Sequence, residues 1–166
     1  MEKSKYLKLE FPSFITHVPV SKNNWLKIGY NKIHTGLHFS TRASVVACIH
    51  GYLENYIPDD LVIETPVQTK FIIYAPINYG SVKMVKVKDS NKRKLQWSKP
   101  SSTYRPNWDL GNLAFLWLKA LDDVLKKKGI LPDDTVEFLS QTTYEFVEIE
   151  EFQERKLIYI IKTIEK

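Results

Sequence analysis

Asp109, Asn112, Lys119, Asp133 and Asp134 fall within one stretch of this sequence, Arg105 to Glu137. Their types suit work on a charged substrate. Asp109 and Asp134 lie 25 residues apart. A helix between them, followed by a return turn, would bring two carboxylates together, and paired carboxylates suit a hard divalent cation. Each acid also has a structural reading. Asp109 makes a good helix N-cap, and Asp133 can cap a turn in the same way. An Asp-x-x-Asn start, a lysine on the helix and an Asp-Asp beyond a glycine stop form a more specific combination than any one cap.

The helix that must position these groups is predicted from period. Leu113, Leu116 or Trp117, Ala120 or Leu121, and Val124 recur at three-and-four spacing and make one apolar face. Lys126, Lys127 and Lys128 stand in its last turn, where positive charge suits the dipole, and Gly129 supplies the stop. Pro132 forbids further helix. Asp122 and Asp123 are neighbours that point about 100° apart, so only one of them can face a site.

The other elements follow in order. Tyr6 to Phe11 alternates as a half-buried strand, and Phe14 to Val20 continues it or starts a second. Ser21 to Gly36 is polar and turn-rich and reads as a loop. Ser40 or Thr41 can cap a second helix through about Tyr56, with Val46, Ile49 and Leu53 at helical spacing. Cys48 on that helix reads as a packing residue. Leu61 to Glu64 is of open type, and Val67 to Ala75 is a strand buried on both faces. Val82 to Val87 and Lys94 to Trp97 pair across Asp89-Ser90-Asn91 as a basic hairpin. Thr135 to Phe138 begins a strand, Tyr144 to Ile149 reads as another, bulged one, and Leu157 to Ile164 is central to the sheet. The expected fold is α/β in the α+β sense. It is one domain over residues 1–166, a mixed sheet of four or more strands with two main helices and a basic hairpin insertion at about 81–105.

The 166 residues suffice for one domain with a real core, and 43% hydrophobic content argues for an ordered globule. No apolar run reaches the roughly 18 residues of a membrane span. The start lacks the apolar core of a signal peptide, and a lone cysteine excludes an internal disulfide, so the expected setting is the cytoplasm. The net charge is +5, and its distribution says more than its size. Lys83, Lys86, Lys88, Lys92, Arg93, Lys94, Lys99 and Arg105 face a single acid, Asp89, so residues 81–105 carry +7 and the rest of the chain −2. Such a segment is the footprint of a polyanion partner or a solvated hairpin. His34 and His38 have i,i+4 spacing, but Gly36 between them and the lack of a following glutamate weigh against a zinc motif. His50 reads as a core-edge residue.

Asp109-Leu110-Gly111-Asn112-Leu113, then Lys119, Asp123, Leu125, Gly129, Asp133, Asp134 and Val136, resemble the core of the RusA-type Holliday-junction resolvases. That family carries D-x-D-N-L, a helix with a lysine and an aspartate four residues later, then a glycine and D-D. The resemblance covers about 30 residues. Pro19-Val20-Ser21-Lys22-Asn23 is similar to the family's Pro-x-Ser-x-Asn loop, which would lie near the active site. There are two departures. The family's second aspartate is Gly111 here, and the helix is about four residues longer between Asn112 and Lys119, close to one turn.

The resemblance implies a magnesium-dependent endonuclease, with manganese as a substitute ion, that acts as a homodimer on four-way DNA junctions in recombination and repair. It implies Asp109, Asp134 and Asp133 as metal ligands, Asn112 as an orienting group and Lys119 as a stabiliser of transition-state charge. The eight basic residues of 81–105 would hold phosphates. Asp133, Glu137 or Asp122 is the candidate to replace the carboxylate missing at Gly111. Two alternatives stand beside this reading. One is a catalytically silent DNA-binding protein that retains the fold. The other is a structural or phage accessory protein with no nucleic-acid partner.

Overall fold

Alternation builds the first strands of the computed structural model, which describes residues 3–21, 24–77, 81–88, 90, 93–98 and 109–164. After a two-residue strand, β1 (Lys3–Ser4), comes β2 (Tyr6–Pro12), where Leu9 and Phe11 are buried and Lys8 and Glu10 are exposed. Strands β3 (His17–Ser21) and β4 (Asn24–Lys27) pair antiparallel. Helices α1 (Tyr30–Thr35) and α2 (Phe39–Glu54) follow. Next come β5 (Val62–Ile63), β6 (Val67–Ala75), β7 (Ser81–Lys86) and β8 (Arg93–Ser98). The long helix α3 (Leu110–Lys127), β9 (Leu139–Glu148), a 3-10 turn at Phe152–Glu154 and β10 (Lys156–Thr163) complete the chain.

The architecture is α+β, as the pattern predicts. Among the described residues the main sheet has four strands in the order β2-β10-β6-β9. β10 runs antiparallel to β2 and β6, whereas β9 runs parallel to β6. A parallel neighbour needs a crossover, and α3 lies on the chain between β6 and β9. β10 takes an inner position because it is apolar on both faces: Leu157, Tyr159 and Ile161 are buried on one side and Ile158 on the other.

The core occupies one face of this sheet. Leu9, Phe11, Phe71, Ile73, Leu157, Tyr159 and Ile161 meet Val45, Ile49 and Leu53 of α2 and Leu113, Trp117, Leu121 and Val124 of α3. Fully buried Trp117 makes edge-on contacts with Phe14 at 6.0 Å and Tyr52 at 5.8 Å between ring centroids. Among the described residues no helix is long and apolar enough to cross a membrane.

Four local expectations are corrected. Residues 30–35 form a helix within the stretch read as loop, because Ile33 is buried and anchors a turn there. Helix α2 starts one residue before Ser40. His38 is its N-cap without a side-chain capping bond, and its Nδ1 lies 2.9 Å from Ser40 Oγ instead. Cys48 is exposed rather than packed. Thr135 to Phe138 is a turn, since the N–H groups of Phe138 and Leu139 both donate to the Thr135 carbonyl, and the strand begins after it.

Candidate functional site

Helix α3 begins as a capped helix should. The Asp109 carboxylate accepts the Asn112 N–H at 3.0 Å, with Asp109 itself in extended backbone. The Asn112 side chain turns to α1: its Oδ1 accepts the Asn31 N–H at 2.8 Å. Gly29 leaves room for that approach, because a Cβ there would stand 3.3 Å from Asn112 Nδ2 and crowd it. Asn112 therefore docks α1 onto α3. A Cβ at Gly111 would lie 3.8 Å from Asp109 Oδ1, so a carboxylate at 111 would have stood beside Asp109.

The other end of α3 terminates in a Schellman turn. The Ile130 N–H donates to the Leu125 carbonyl and the Gly129 N–H to the Lys126 carbonyl, with Gly129 at φ +70°. Ile130 and Leu131 are buried, so the chain is drawn back along the helix. This return delivers Asp133 and Asp134 to the face that Lys119, Asp123 and Lys126 share at i, i+4, i+7 spacing.

A charge cluster results. Lys119 Nζ lies 3.0 Å from Asp123 Oδ1 and 3.1 Å from Asp134 Oδ2. Lys126 Nζ lies 3.0 Å from Asp134 Oδ1, 3.6 Å from Asp133 and 3.9 Å from Asp123. Asp133 also accepts the Asp134 N–H at 2.8 Å. Single ion pairs at a half-exposed surface contribute little, but this network fixes both oxygens of Asp134. The hydrogen bonds from Lys126 and Lys119 hold the Asp134 carboxyl well below the usual carboxylate range. The bonds to Asp123 and then Asp134 raise the Lys119 ammonium, and the bond to Asp134 raises that of Lys126. Lys127 and Lys128 turn away, to Glu54 and to Asp59 with the Ile57 carbonyl.

Asp122 and Asp123 divide as their angular separation requires. Asp123 faces the cluster. Asp122 faces the sheet and accepts the Tyr159 hydroxyl at 3.1 Å. Burial pushes its carboxyl up from 3.8 to about 6, against the lowering effect of that hydrogen bond.

The predicted convergence of Asp109 with Asp133 and Asp134 is not what the fold builds. Lys119 stands ten residues after Asp109, about 15 Å along the axis of a helix. The return from Gly129 reaches only the level of Lys119. Asp123, Asp133 and Asp134 therefore gather at one end of α3, and Asp109 caps the other. Among the described residues no three His, Cys, Asp or Glu side chains form a ready-made metal cage. The donor set still suits magnesium held by two carboxylates, with water completing its shell. Asp123 and Asp134 already converge on one cation, the Lys119 ammonium.

A cleft of about 90 Å³ opens beside the cluster. His34 of α1, His50 of α2, and Lys119 and Asp123 of α3 line it over an apolar floor of Ile49, Leu116 and Ala120. His50 Nε2 is shielded and finds no partner among the described residues. Pairing His34 with His38 by spacing missed this neighbourhood. The available signal was that His50 falls beside the apolar face of α2.

In the hairpin, Lys83, Lys86, Lys88 and Lys94 are exposed. β7 pairs with β8 antiparallel, Lys86 opposite Arg93. Trp97 stacks on Phe152 at 5.4 Å with planes 5° apart, which ties the hairpin to the turn before β10. Lys92, Lys99 and Arg105 lie outside the described residues, as do Lys22, Asn23 and the side chain of Arg93. Compared with known protein families and with curated proteins, the chain matches none.

Proposed function

We propose that this protein is a resolvase-type endonuclease that acts on branched DNA, four-way junctions above all, in recombination and repair. It works as a homodimer in the cytoplasm, since two opposed strands must be cut and a two-fold dimer presents two equal sites. The observation that carries the reading is Lys119, held between Asp123 and Asp134. These three residues belong to the resemblance, come from separate parts of the stretch and meet at one point.

In this reading the exposed lysines of the β7–β8 hairpin take phosphates and hold the junction. Asp123 and Asp134 are the carboxylates that would hold magnesium or manganese. Such an ion, when bound, would lower the pKa of a water and polarise the phosphoryl oxygen. Lys119 leaves its ion pairs to meet the negative charge that grows on the phosphoryl group. Asp133 keeps Asp134 in place through the Asp134 N–H. Asp109 and Asn112 start the helix and dock α1.

A second reading, a protein that holds junctions without cutting them, is favoured by Gly111. A carboxylate at that position would have stood beside Asp109, and glycine supplies none. A labelled four-way junction incubated with Mg²⁺ separates the two. Paired nicks from the wild type and none from Asp134→Asn are expected. Tight binding with no nick from either protein would replace the nuclease with the silent binder.

A further inference from the structure

The face of the main sheet that points away from the helices is not uniform. Register sets its residues in rows across the four strands. Tyr6, Lys162, Gln68 and Gln141 form one row, and Lys8, Ile160, Lys70 and Thr143 form the next. The third row holds Glu10, Ile158, Ile72 and Glu145. The first two rows thus carry three lysines and no acid, and both carboxylates stand in the third. Glu145 is paired with Lys70 at 2.5 Å and Glu10 with Lys156 at 2.9 Å. Lys8 and Lys162 are exposed and make no ion pair among the described residues. Tyr6, beside Lys162, is 53% exposed. A groove of about 270 Å³ lies over these rows, lined by Gln68, Lys70, Gln141, Thr143, Ile160 and Lys162.

We infer that this half of the open sheet face binds single-stranded DNA. An exposed aromatic ring offers a surface on which an unpaired base stacks, whatever its sequence. Lys8 and Lys162 flank that position and suit two backbone phosphates. The amides of Gln68 and Gln141 and the Thr143 hydroxyl can meet the edges of unstacked bases, which a duplex keeps inside. Charge complementarity selects a polyanion, because the acid-free rows hold Lys8 and Lys162, which make no ion pair among the described residues. The choice of DNA rests on the proposed reading of action on branched DNA, since forks and flaps carry an unpaired strand beside the branch.

Fluorescence anisotropy with labelled oligo-dT tests this, using oligo-rU of equal length and a fully paired four-way junction as comparisons. The wild type is expected to bind oligo-dT more tightly than oligo-rU. Tyr6→Ala weakens oligo-dT binding by about fivefold or more, given that stacking on an aromatic is worth roughly 1–3 kcal/mol per base. Lys8→Ala with Lys162→Ala lowers the salt slope of binding by about 1.4, two single-strand phosphates at roughly 0.7 each. All three positions are exposed, so the variants keep the fold, which circular dichroism checks. No binding of oligo-dT, tighter binding of oligo-rU, or affinity untouched by both variants overturns the inference. Loss of junction binding with oligo-dT binding intact removes the resolvase reading and leaves this surface standing.

Discussion

Asp122 and Asp123 are adjacent, identical in chemistry and opposite in circumstance. Asp123 lies among the Lys119 and Lys126 ammonium groups, whereas the Asp122 carboxyl is pushed up to about 6 by burial. An acid whose pKa is raised by folding binds its proton more tightly in the folded state. Its contribution is therefore greatest below its unfolded value near 3.8 and declines as pH rises through about 6. Asp134 works in the other direction: its lowered pKa adds stability above the usual carboxylate range and loses it as pH falls. Asp122→Asn keeps an acceptor for the Tyr159 hydroxyl and removes only the first effect. The melting temperature of the wild type relative to this variant is expected to fall between pH 4 and about 6. Parallel curves across that window would show that Asp122 titrates normally.

Helix α3 owes its use to how it ends. Its N-terminus is capped by Asp109, and its C-terminus is turned by Gly129 in left-handed backbone so that Ile130 and Leu131 enter the core. That turn sets how far Asp133 and Asp134 travel back along the helix. Among the described residues nothing lies within 4 Å of a Cβ at Gly129, so a side chain there meets backbone strain rather than a clash with them. Gly129→Ala is expected to cost roughly 1–2 kcal/mol, the penalty of a left-handed conformation for a residue with a Cβ. Urea denaturation reads this as a lower midpoint at unchanged slope. An unchanged midpoint would mean that the turn does not depend on glycine.

Over the molecule, charge is sorted by surface. The acids of the α3 cluster are paired with Lys119 and Lys126, while the described lysines of the hairpin stand exposed. A joint Lys83→Gln, Lys86→Gln and Lys94→Gln variant should bind a four-way junction more weakly. The slope of log affinity against log salt should drop by about 0.9 for each phosphate that the variant no longer neutralises. These side chains lie on a surface hairpin, so the melting temperature is expected to hold. A slope equal to the wild type's would place the junction elsewhere.

What local sequence encodes is direction and interruption. The three-and-four spacing from Leu113 to Val124, the Asp109 cap, the Gly129 stop and the two-sided apolarity of Leu157 to Ile161 each express themselves within a few residues. The helix, its ends and the inner place of β10 were therefore legible. The partners of Asp134 were not. They depend on where the backtracking chain meets a helix face, and burial of Ile130 and Leu131 decides that. The same holds for the cleft between His34 and His50, which belong to different helices. It holds too for the row Tyr6, Lys162, Gln68 and Gln141, which exists only through the register of strands more than sixty residues apart. A strand's own pattern tells which side chains share a face, but hydrogen-bond register and packing against the rest of the chain choose their neighbours.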